Sequence, residues 1–267
     1  MSPAKDIWTV IDLVRWGTEF FSGKGIESPR LNMELLLCHL LGIERIEIYS
    51  QFDKPLTPDE LSRLREMVIR RAKREPLQYI IGSTDFMGLT IRTGPAAIVP
   101  RPETELLAEK AIAAARDYAA PQVLDIGCGS GCISIAIAKK AIAARVDAID
   151  ISEDALALAR ENAQINNVEN IYIYKCNIFE TLSFPTKFDI IVSNPPYIPY
   201  EEYKTLEPEV GDYEPEFALT DGGDGLGFYR RLAVVMARIM QPEGVFLLEM
   251  GAGQAGAIGK IFAPAFD

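Results

Sequence analysis

The chain has 267 residues, 48% of them hydrophobic, and a formal net charge of −11 with a pI near 4.8. That length fits one large domain or a small domain joined to a medium one, and no apolar run is long enough to span a membrane. Proteins that bind nucleic acid on their own usually carry a basic surface, so the acidity favours a small-molecule or protein substrate.

Residues 1–75 are predicted to form a small helical domain. Apolar residues recur at helical spacing between Ile7 and Phe21. Ser28-Pro29 predicts the start of a second helix, with serine as N-cap and proline at the first helical position, and Gly42 its end. Thr57 to Glu60 read as a capping box that begins a third helix. No secretory signal precedes this region, which predicts a cytoplasmic protein.

The third helix is rich in basic residues. Two interpretations are open: a solvated basic face, or a docking surface for an acidic or RNA-bound partner. The basic residues are Arg63, Arg65, Arg70, Arg71, Lys73 and Arg74.

Residues 76–100 are predicted to be a hairpin linker, because residues 79–93 alternate in polarity and contain glycines. The rigid segment 100–105 (Pro-Arg-Pro-Glu-Thr-Glu) then leads into a helix predicted at 106–118. Residues 101–267 form the predicted catalytic domain.

From Pro121 onward, predicted strands alternate with predicted helices. This alternation predicts an α/β fold with a doubly wound, mostly parallel, Rossmann-like sheet, whose ligands bind outside the carboxyl ends of the strands. The strands are predicted at 123–126, 146–150, 171–174, 188–193 and 244–249, and the helices at 133–140, 153–165 and 228–240.

The four cysteines and one histidine do not form a metal-ligand pattern. Cys128 and Cys132 have three residues between them, and no second pair completes a zinc site. We predict buried free thiols at Cys38, Cys128, Cys132 and Cys176, and no metal.

A glycine-rich loop follows the first strand of the alternating region. Its spacing, G-x-G-x-G, lacks the offset glycine of the dinucleotide fingerprint. Asp125 would repel a phosphate but suits a cationic sulfonium and an amino acid headgroup. The loop residues predicted to bind the cofactor, together with this acid, are Asp125, Gly127, Cys128, Gly129, Ser130 and Gly131.

Two further polar residues lie beyond the glycine loop: Asp150 ends the second predicted strand, and Asn177 follows the third. Asp150 can accept hydrogen bonds from both hydroxyls of a ribose, although it could instead cap the following helix. Asn177 is predicted to meet an adenine edge. Together these residues indicate an adenosine ligand without a pyrophosphate.

The fourth strand ends in Asn194-Pro195-Pro196-Tyr197, the most specific signal in the chain. Two consecutive prolines remove two N–H donors, so the segment presents carbonyl acceptors. The Asn194 side-chain oxygen and the Pro195 carbonyl can together accept hydrogen bonds from one NH2 group, while Tyr197 stacks on the planar group that carries it. This predicts methyl transfer to a planar nitrogen by positioning and electrostatics, without a general base.

These motifs resemble those of the release factor glutamine methyltransferases, the HemK/PrmC family. The resemblance covers nearly the whole chain, and the Pro-Arg-Pro-Glu-Thr-Glu segment is far more restrictive than Asn-Pro-Pro-Tyr alone. The matching segments are 76–82, 100–105, 125–131, 194–197, 214–226 and 249–254.

The resemblance implies N5-methylation, from S-adenosylmethionine, of the glutamine in the Gly-Gly-Gln motif of class I peptide chain release factors. It also implies that the helical domain grips the factor, that Ile178 lies against the cofactor and that Asn194 lies near the donor methyl. Neither direct nucleic-acid contact nor membrane contact is expected, and the enzyme is expected to be a monomer.

The chain departs from the family pattern at two places. An acidic residue is common where Asn177 stands, and the family normally continues through two more strands after the point where this sequence ends. The predicted sheet therefore lacks the family's final strand pair, which leaves the fifth strand with an unpaired edge.

Two other functions compete with this prediction. An amino-methyltransferase acting on a flipped DNA or RNA base would use the same reaction chemistry. A non-catalytic protein that only binds release factors would bind the donor without turnover.

Overall fold

A computed structural model describes residues 7–180 and 184–266. The chain divides into two compact units between Ile81 and Gly82. The first unit is helical, as predicted, and its apolar helix faces meet in one core. Its helices are α1 (Val10–Ser22), α2 (Pro29–Leu41), α3 (Glu47–Ser50), α4 (Pro58–Ala72) and α5 (Leu77–Ile81).

The start of α4 confirms the predicted capping box. Thr57 Oγ1 accepts a hydrogen bond from the Glu60 amide at 3.3 Å, and the Glu60 carboxylate accepts one from the Thr57 amide at 2.7 Å. Helix α2 also begins at the predicted proline, and Ser28 occupies the predicted N-cap position, but its side chain makes no capping hydrogen bond. Ser28 has a left-handed backbone with φ 46° and makes no side-chain cap, because capping requires an extended backbone at that position.

The basic residues of α4, and Lys73 and Arg74 that follow it, do not form one continuous face. Arg71 is buried, and its Nε donates to Asn32 Oδ1 at 2.7 Å. Arg70 forms an ion pair with Glu75, and Arg74 donates to the Gly25 carbonyl at 2.7 Å. Arg71 is therefore not part of a basic surface, whereas Arg63, Arg65, Arg70 and Lys73 are exposed, and both interpretations of that exposed set remain open.

The second unit contains two sheets. A hairpin of β1 (Ser83–Phe86) and β2 (Leu89–Arg92) is antiparallel, and a five-stranded parallel sheet has the order β5-β4-β3-β6-β7. The remaining strands are β3 (Gln122–Ile126), β4 (Arg145–Asp150), β5 (Ile171–Lys175), β6 (Phe188–Ser193) and β7 (Met240–Leu248). The helices are α6 (Pro102–Ala115), α7 (Cys132–Lys140), α8 (Glu153–Ile165), α9 (Tyr200–Tyr203), α10 (Pro208–Gly211), α11 (Glu216–Leu219), α12 (Gly227–Ile239) and α13 (Ala255–Phe266).

Alternate residues of the parallel strands pack into two different cores. Val123 and Ile190 pack with α6 and α7, whereas Leu124 and Ile191 pack with α12 and α13. Helices therefore cover both faces, which confirms the predicted doubly wound fold. The strand order reverses beside β3, and ligands of such sheets bind at that reversal.

Two boundaries differ from the sequence prediction in ways that matter for the site. Helix α6 begins at Pro102, four residues earlier than predicted, because proline is well suited to the first helical turn and its missing N–H is not needed there. Thr104 therefore lies in the first turn of a helix and is buried. The hairpin belongs to the second compact unit. There the Asn162 side chain of α8 accepts a hydrogen bond from the Arg92 amide and donates one to the Arg92 carbonyl.

In the described part of the chain, no helix is both long enough and apolar enough to cross a membrane.

Candidate active site

The predicted site residues lie in loops at one edge of the parallel sheet. Strands β3, β4 and β6 are hydrogen-bonded neighbours in parallel, so their carboxyl ends meet at the same edge. Residues 127–131 follow β3, Asp150 ends β4, and Asn194 follows β6. The structure thus brings together three segments that are far apart in sequence.

The backbone amides of the glycine loop are largely used within the protein. Gly127 and Cys128 both donate to the Ile149 carbonyl, at 2.8 and 3.0 Å, and Gly131 donates to the Cys128 carbonyl at 2.8 Å. Gly129 donates to Asp150 Oδ2 at 2.9 Å. A phosphate-binding loop needs free amides that point at the ligand, so this geometry disfavours a pyrophosphate.

Some residues of the glycine loop are accessible from solvent and others are buried in the protein. Gly127 is exposed, and a side chain there would meet no atom within 4 Å, so its backbone faces open space. Gly131 packs against α8, where an added Cβ would lie 3.0 Å from Ala159 Cβ. Cys128 and Ser130 are also buried, so among the predicted loop residues Gly127 and Gly129 have the most access to a ligand.

Asp125 lies completely buried beneath this loop, and neither carboxylate oxygen has a hydrogen-bond partner among the described residues. Burial raises its pKa to about 7; the nearby Ser134 hydroxyl and amide oppose that rise without making a hydrogen bond of normal geometry, and the charge of Asp150 adds to it. Because the Asp125 carboxylate is not exposed, it does not offer the direct contact with a ligand headgroup that the sequence predicted. An unpartnered buried acid beneath an open loop nonetheless fits a cation bound above it, because a nearby positive charge stabilises the ionised form.

We expect this acid to make the stability of the unliganded protein pH-dependent. The folded protein holds the Asp125 proton up to a pKa of about 7, whereas the unfolded chain releases it near its ordinary value of 3.8. The folded state then binds more protons between these values, so its stability falls as pH rises through that window, by up to about 4 kcal/mol. Urea unfolding of wild type and Asp125→Asn from pH 4.5 to 8 measures this, since the variant cannot titrate there. A constant difference between the two proteins across that range would contradict the prediction.

Asp150 links the end of β4 to the glycine loop. One oxygen accepts from Gly129 and the other from the Ser152 amide at 2.9 Å, so the carboxylate ties the loop to the end of the strand. Asp150 is not the N-cap of α8. That role belongs to Ser152, whose Oγ accepts a hydrogen bond from the Ala155 amide.

The two residues predicted after β5 are held locally. Asn177 Oδ1 accepts from the Phe179 amide at 3.0 Å, and its amide donates to Glu180 at 3.1 Å. Both ends of this side chain therefore stabilise its own turn. Ile178 is buried in the core beside α12.

The Asn194-Pro195-Pro196-Tyr197 segment is fixed by neighbours on three sides. The Ser193 hydroxyl donates to the Ile126 carbonyl at 2.7 Å, and Gln254 Nε2 donates to the Tyr197 carbonyl at 2.9 Å. Gly225 approaches so closely that an added Cβ would lie 2.3 Å from the Tyr197 carbonyl oxygen. Both prolines are buried, while Asn194 and Tyr197 keep partial exposure.

Two side chains with no role predicted from the sequence, Thr104 and Glu249, contact this segment. Thr104 Oγ1 donates to Glu249 Oε2 at 2.7 Å and lies 3.4 Å from Asn194 Nδ2. Glu249 Oε1 lies 3.5 Å from the Tyr197 hydroxyl. The available signal was positional, because Glu249 directly follows the fifth strand, at the edge where the other site residues were expected.

The four cysteines are free thiols, as predicted, but only Cys128 and Cys132 are buried. Cys38 and Cys176 are partly exposed, which corrects that part of the prediction. Burial raises the pKa of Cys132 to about 12 and that of Cys128 well above its ordinary value, so neither thiol beside the glycine loop is a nucleophile at neutral pH.

The sheet is doubly wound, the amides of the glycine loop are already bonded within the protein, and the Asn194–Tyr197 segment lies at the same edge of the sheet. These features are those of an S-adenosylmethionine-dependent methyltransferase of Rossmann-like fold. Residues 102–207 match the family described as "Methyltransferase small domain", and residues 12–82 match "PrmC N-terminal domain".

Curated relatives extend this match over almost the entire chain. A release factor glutamine methyltransferase from Geobacter sulfurreducens is 43% identical over 98% of this chain and 91% of its own length. Relatives of the same description from Fusobacterium nucleatum and Chlorobaculum tepidum are each 38% identical, over 94% and 99% of this chain and 71% and 92% of theirs. The chain belongs to the release factor glutamine methyltransferase family.

Proposed function

We propose that the chain methylates N5 of the glutamine in the Gly-Gly-Gln motif of class I peptide chain release factors. The observation that carries this proposal is the Asn194–Tyr197 segment, which offers fixed acceptors and an aromatic ring at the sheet edge that also holds the glycine loop. An amide nitrogen is a poor nucleophile, and fixed acceptors are what its NH2 group needs to be held in line for transfer.

In this proposal, Asn194 Oδ1 and the Pro195 carbonyl accept hydrogen bonds from the acceptor NH2, and Tyr197 stacks on the amide plane. The acceptors also stabilise the positive charge that develops on the nitrogen. When bound, S-adenosylmethionine supplies an electrophilic methyl group on a sulfonium. Asp150 accepts from the ribose hydroxyls, Gly127 and Gly129 line the donor, and the buried Asp125 charge favours its cationic part. The roles of Cys128, Ser130 and Gly131 are to shape the loop, and Asn177 and Ile178 shape the wall after β5.

We further propose that the helical unit provides the grip on the release factor, and that the protein is a cytoplasmic monomer with no direct nucleic-acid or membrane contact. The acidity of the chain supports the absence of direct nucleic-acid contact, and its match to relatives named as release factor glutamine methyltransferases supports a release factor as the partner.

The deciding assay incubates the purified chain and radiolabelled S-adenosylmethionine with a class I release factor, with DNA and with ribosomal RNA in separate reactions. A release factor carrying alanine in place of the motif glutamine is the matched control. We expect label only in the unaltered factor, with a mass increase of one methyl group. Label confined to nucleic acid would favour a base amino-methyltransferase, and donor binding without turnover would favour a non-catalytic binding protein.

Asp150→Ala is expected to weaken S-adenosylmethionine binding by roughly 1.5–3 kcal/mol, the scale of hydrogen bonds to a charged group. The change also releases the amides of Gly129 and Ser152, which loosens the loop. Isothermal calorimetry measures the affinity. Ser152→Ala is the control, since it removes the α8 cap and should lower stability by about 1 kcal/mol without changing affinity. Equal donor affinity in wild type and Asp150→Ala would remove Asp150 from the donor site.

A further inference from the structure

The Glu249 carboxylate contacts Tyr197 directly and is connected to Asn194 through Thr104. Glu249 accepts from Thr104 at 2.7 Å on one oxygen, and the Tyr197 hydroxyl lies 3.5 Å from the other. Thr104 in turn lies 3.4 Å from Asn194 Nδ2 and is only 2% exposed. The two ends of the reaction segment are thus connected through side chains contributed by α6 and by the residue after β7.

The direction of these hydrogen bonds follows from how many protons each group has. A carboxylate only accepts, and a hydroxyl has a single proton to donate. The short contact with Glu249 uses the Thr104 proton. Thr104 can therefore only accept from Asn194, and the side of the Asn194 amide that faces Thr104 must be its NH2 group.

We propose that Glu249, acting through Thr104, is a positioning residue that selects which end of the Asn194 amide faces the acceptor nitrogen. With NH2 turned toward Thr104, Oδ1 is the atom presented to the substrate. A reversed amide would set an NH2 donor against the NH2 of the substrate and lose the hydrogen bond. This inference rests on the proposed function, in which Asn194 Oδ1 accepts from the glutamine amide.

The contact with Tyr197 is consistent with the same role. Burial, followed by the nearby Glu249 charge, raises the pKa of the Tyr197 hydroxyl, which keeps its proton available for the carboxylate. Glu249 is itself held in place, because its amide donates to the Ser193 carbonyl at 3.0 Å and its carbonyl accepts from the buried Tyr229 at 2.7 Å. The backbone of Glu249 is therefore held by hydrogen bonds on both its amide and its carbonyl.

A matched pair of variants separates the hydroxyl from the shape of the residue. Thr104→Val keeps the volume and removes the hydrogen bonds, whereas Thr104→Ser keeps the hydroxyl. With a class I release factor as acceptor, we expect Thr104→Val to lower kcat roughly 10- to 100-fold, the scale of a misplaced catalytic group, with KM for the factor and donor affinity within about twofold of wild type. Thr104→Ser should recover most of kcat.

Glu249→Leu provides a second route to the same result if Thr104→Val does not fold. It should lower kcat by a similar factor, because Thr104 is then free to donate its proton to Asn194 Oδ1, which permits the reversed amide. In the double variant the loss should not exceed that of Glu249→Leu by more than about twofold, since the two residues act in series.

Three outcomes would overturn the inference: an unchanged kcat in both single variants, a Thr104→Ser as impaired as Thr104→Val, or a loss of donor affinity that accounts for the whole effect. Failure of the proposed function looks different, because the wild-type enzyme would then place no label in the release factor.

Discussion

Asn194→Ala is expected to lower kcat by roughly 30- to 900-fold, equivalent to about 2–4 kcal/mol of transition-state stabilisation. The side chain offers one of the two proposed acceptors for the substrate NH2, and alanine leaves that hydrogen bond unmade. Folding should be little affected, because Asn194 is partly exposed and Thr104 keeps its hydrogen bond to Glu249. Single-turnover methylation of a release factor with saturating donor measures the effect.

Asn170→Ala is the matched control for this variant. Asn170 immediately precedes β5, at the opposite edge of the sheet, where its amide donates to the carbonyls of Ala138 and Ala144 at 3.0 and 2.9 Å. Its loss should lower the melting temperature and leave kcat unchanged. If Asn194→Ala instead methylates at the wild-type rate, Asn194 has no role in holding the acceptor.

Gly225→Ala is expected to reduce kcat about 100-fold, the scale reported for displacements near 1 Å in an active site. The added Cβ would lie 2.3 Å from the Tyr197 carbonyl oxygen and 3.0 Å from its carbon, and both are backbone atoms that cannot swing aside. The reaction segment must therefore move. The same Cβ would lie 3.1 Å from Gln254 Nε2, the group that donates to that carbonyl, so the hydrogen bond holding the segment should weaken as well.

Gly222→Ala separates this contact from backbone strain. Gly222 has φ +73°, almost equal to the +75° of Gly225, but an added Cβ there meets nothing within 4 Å. Both variants should lose about 1–2 kcal/mol of stability from the left-handed backbone, and Gly225→Ala should lose more because of its contact with Tyr197; urea unfolding measures both losses. Only Gly225→Ala should lose activity. Equal losses of activity in the two variants would show that strain in the loop, and not the approach to Tyr197, is responsible.

The buried ionisable groups of the second unit differ in how well they are paired. Glu214 is buried, and although burial raises its pKa, the Arg101 guanidinium opposes the rise and donates to both carboxylate oxygens at 2.8 Å. Asp125 has no such partner. An unpaired buried carboxylate is costly to ionise, and a bound cation would offset that cost. Of these two acids, Asp125 is therefore the one whose ionised form a bound cation would stabilise, and it lies beside the glycine loop.

The sequence alone determined the order of the five parallel strands and of helices α6, α7, α8 and α12, and the positions of the main loops, but it did not predict α9, α10, α11 or α13. Parallel strands bury both faces and read as apolar runs, and glycine and proline restrict the backbone locally, so residues 122–126, 127–131 and 194–197 could be assigned from neighbouring residues. Because parallel strands align their carboxyl ends, the meeting of these loops at one edge also followed from the pattern.

Tertiary structure decided which side chains complete the site. Thr104 and Glu249 are 145 residues apart, and no local spacing relates them; they meet because α6 packs against β6 and β7. The burial of Asp125 and the inward turn of Arg71 likewise depend on packing with distant elements. Secondary-structure signals arise from neighbours a few residues away, whereas hydrogen-bond partners of buried polar groups are set by the fold, which is why the former were predictable and the latter were not.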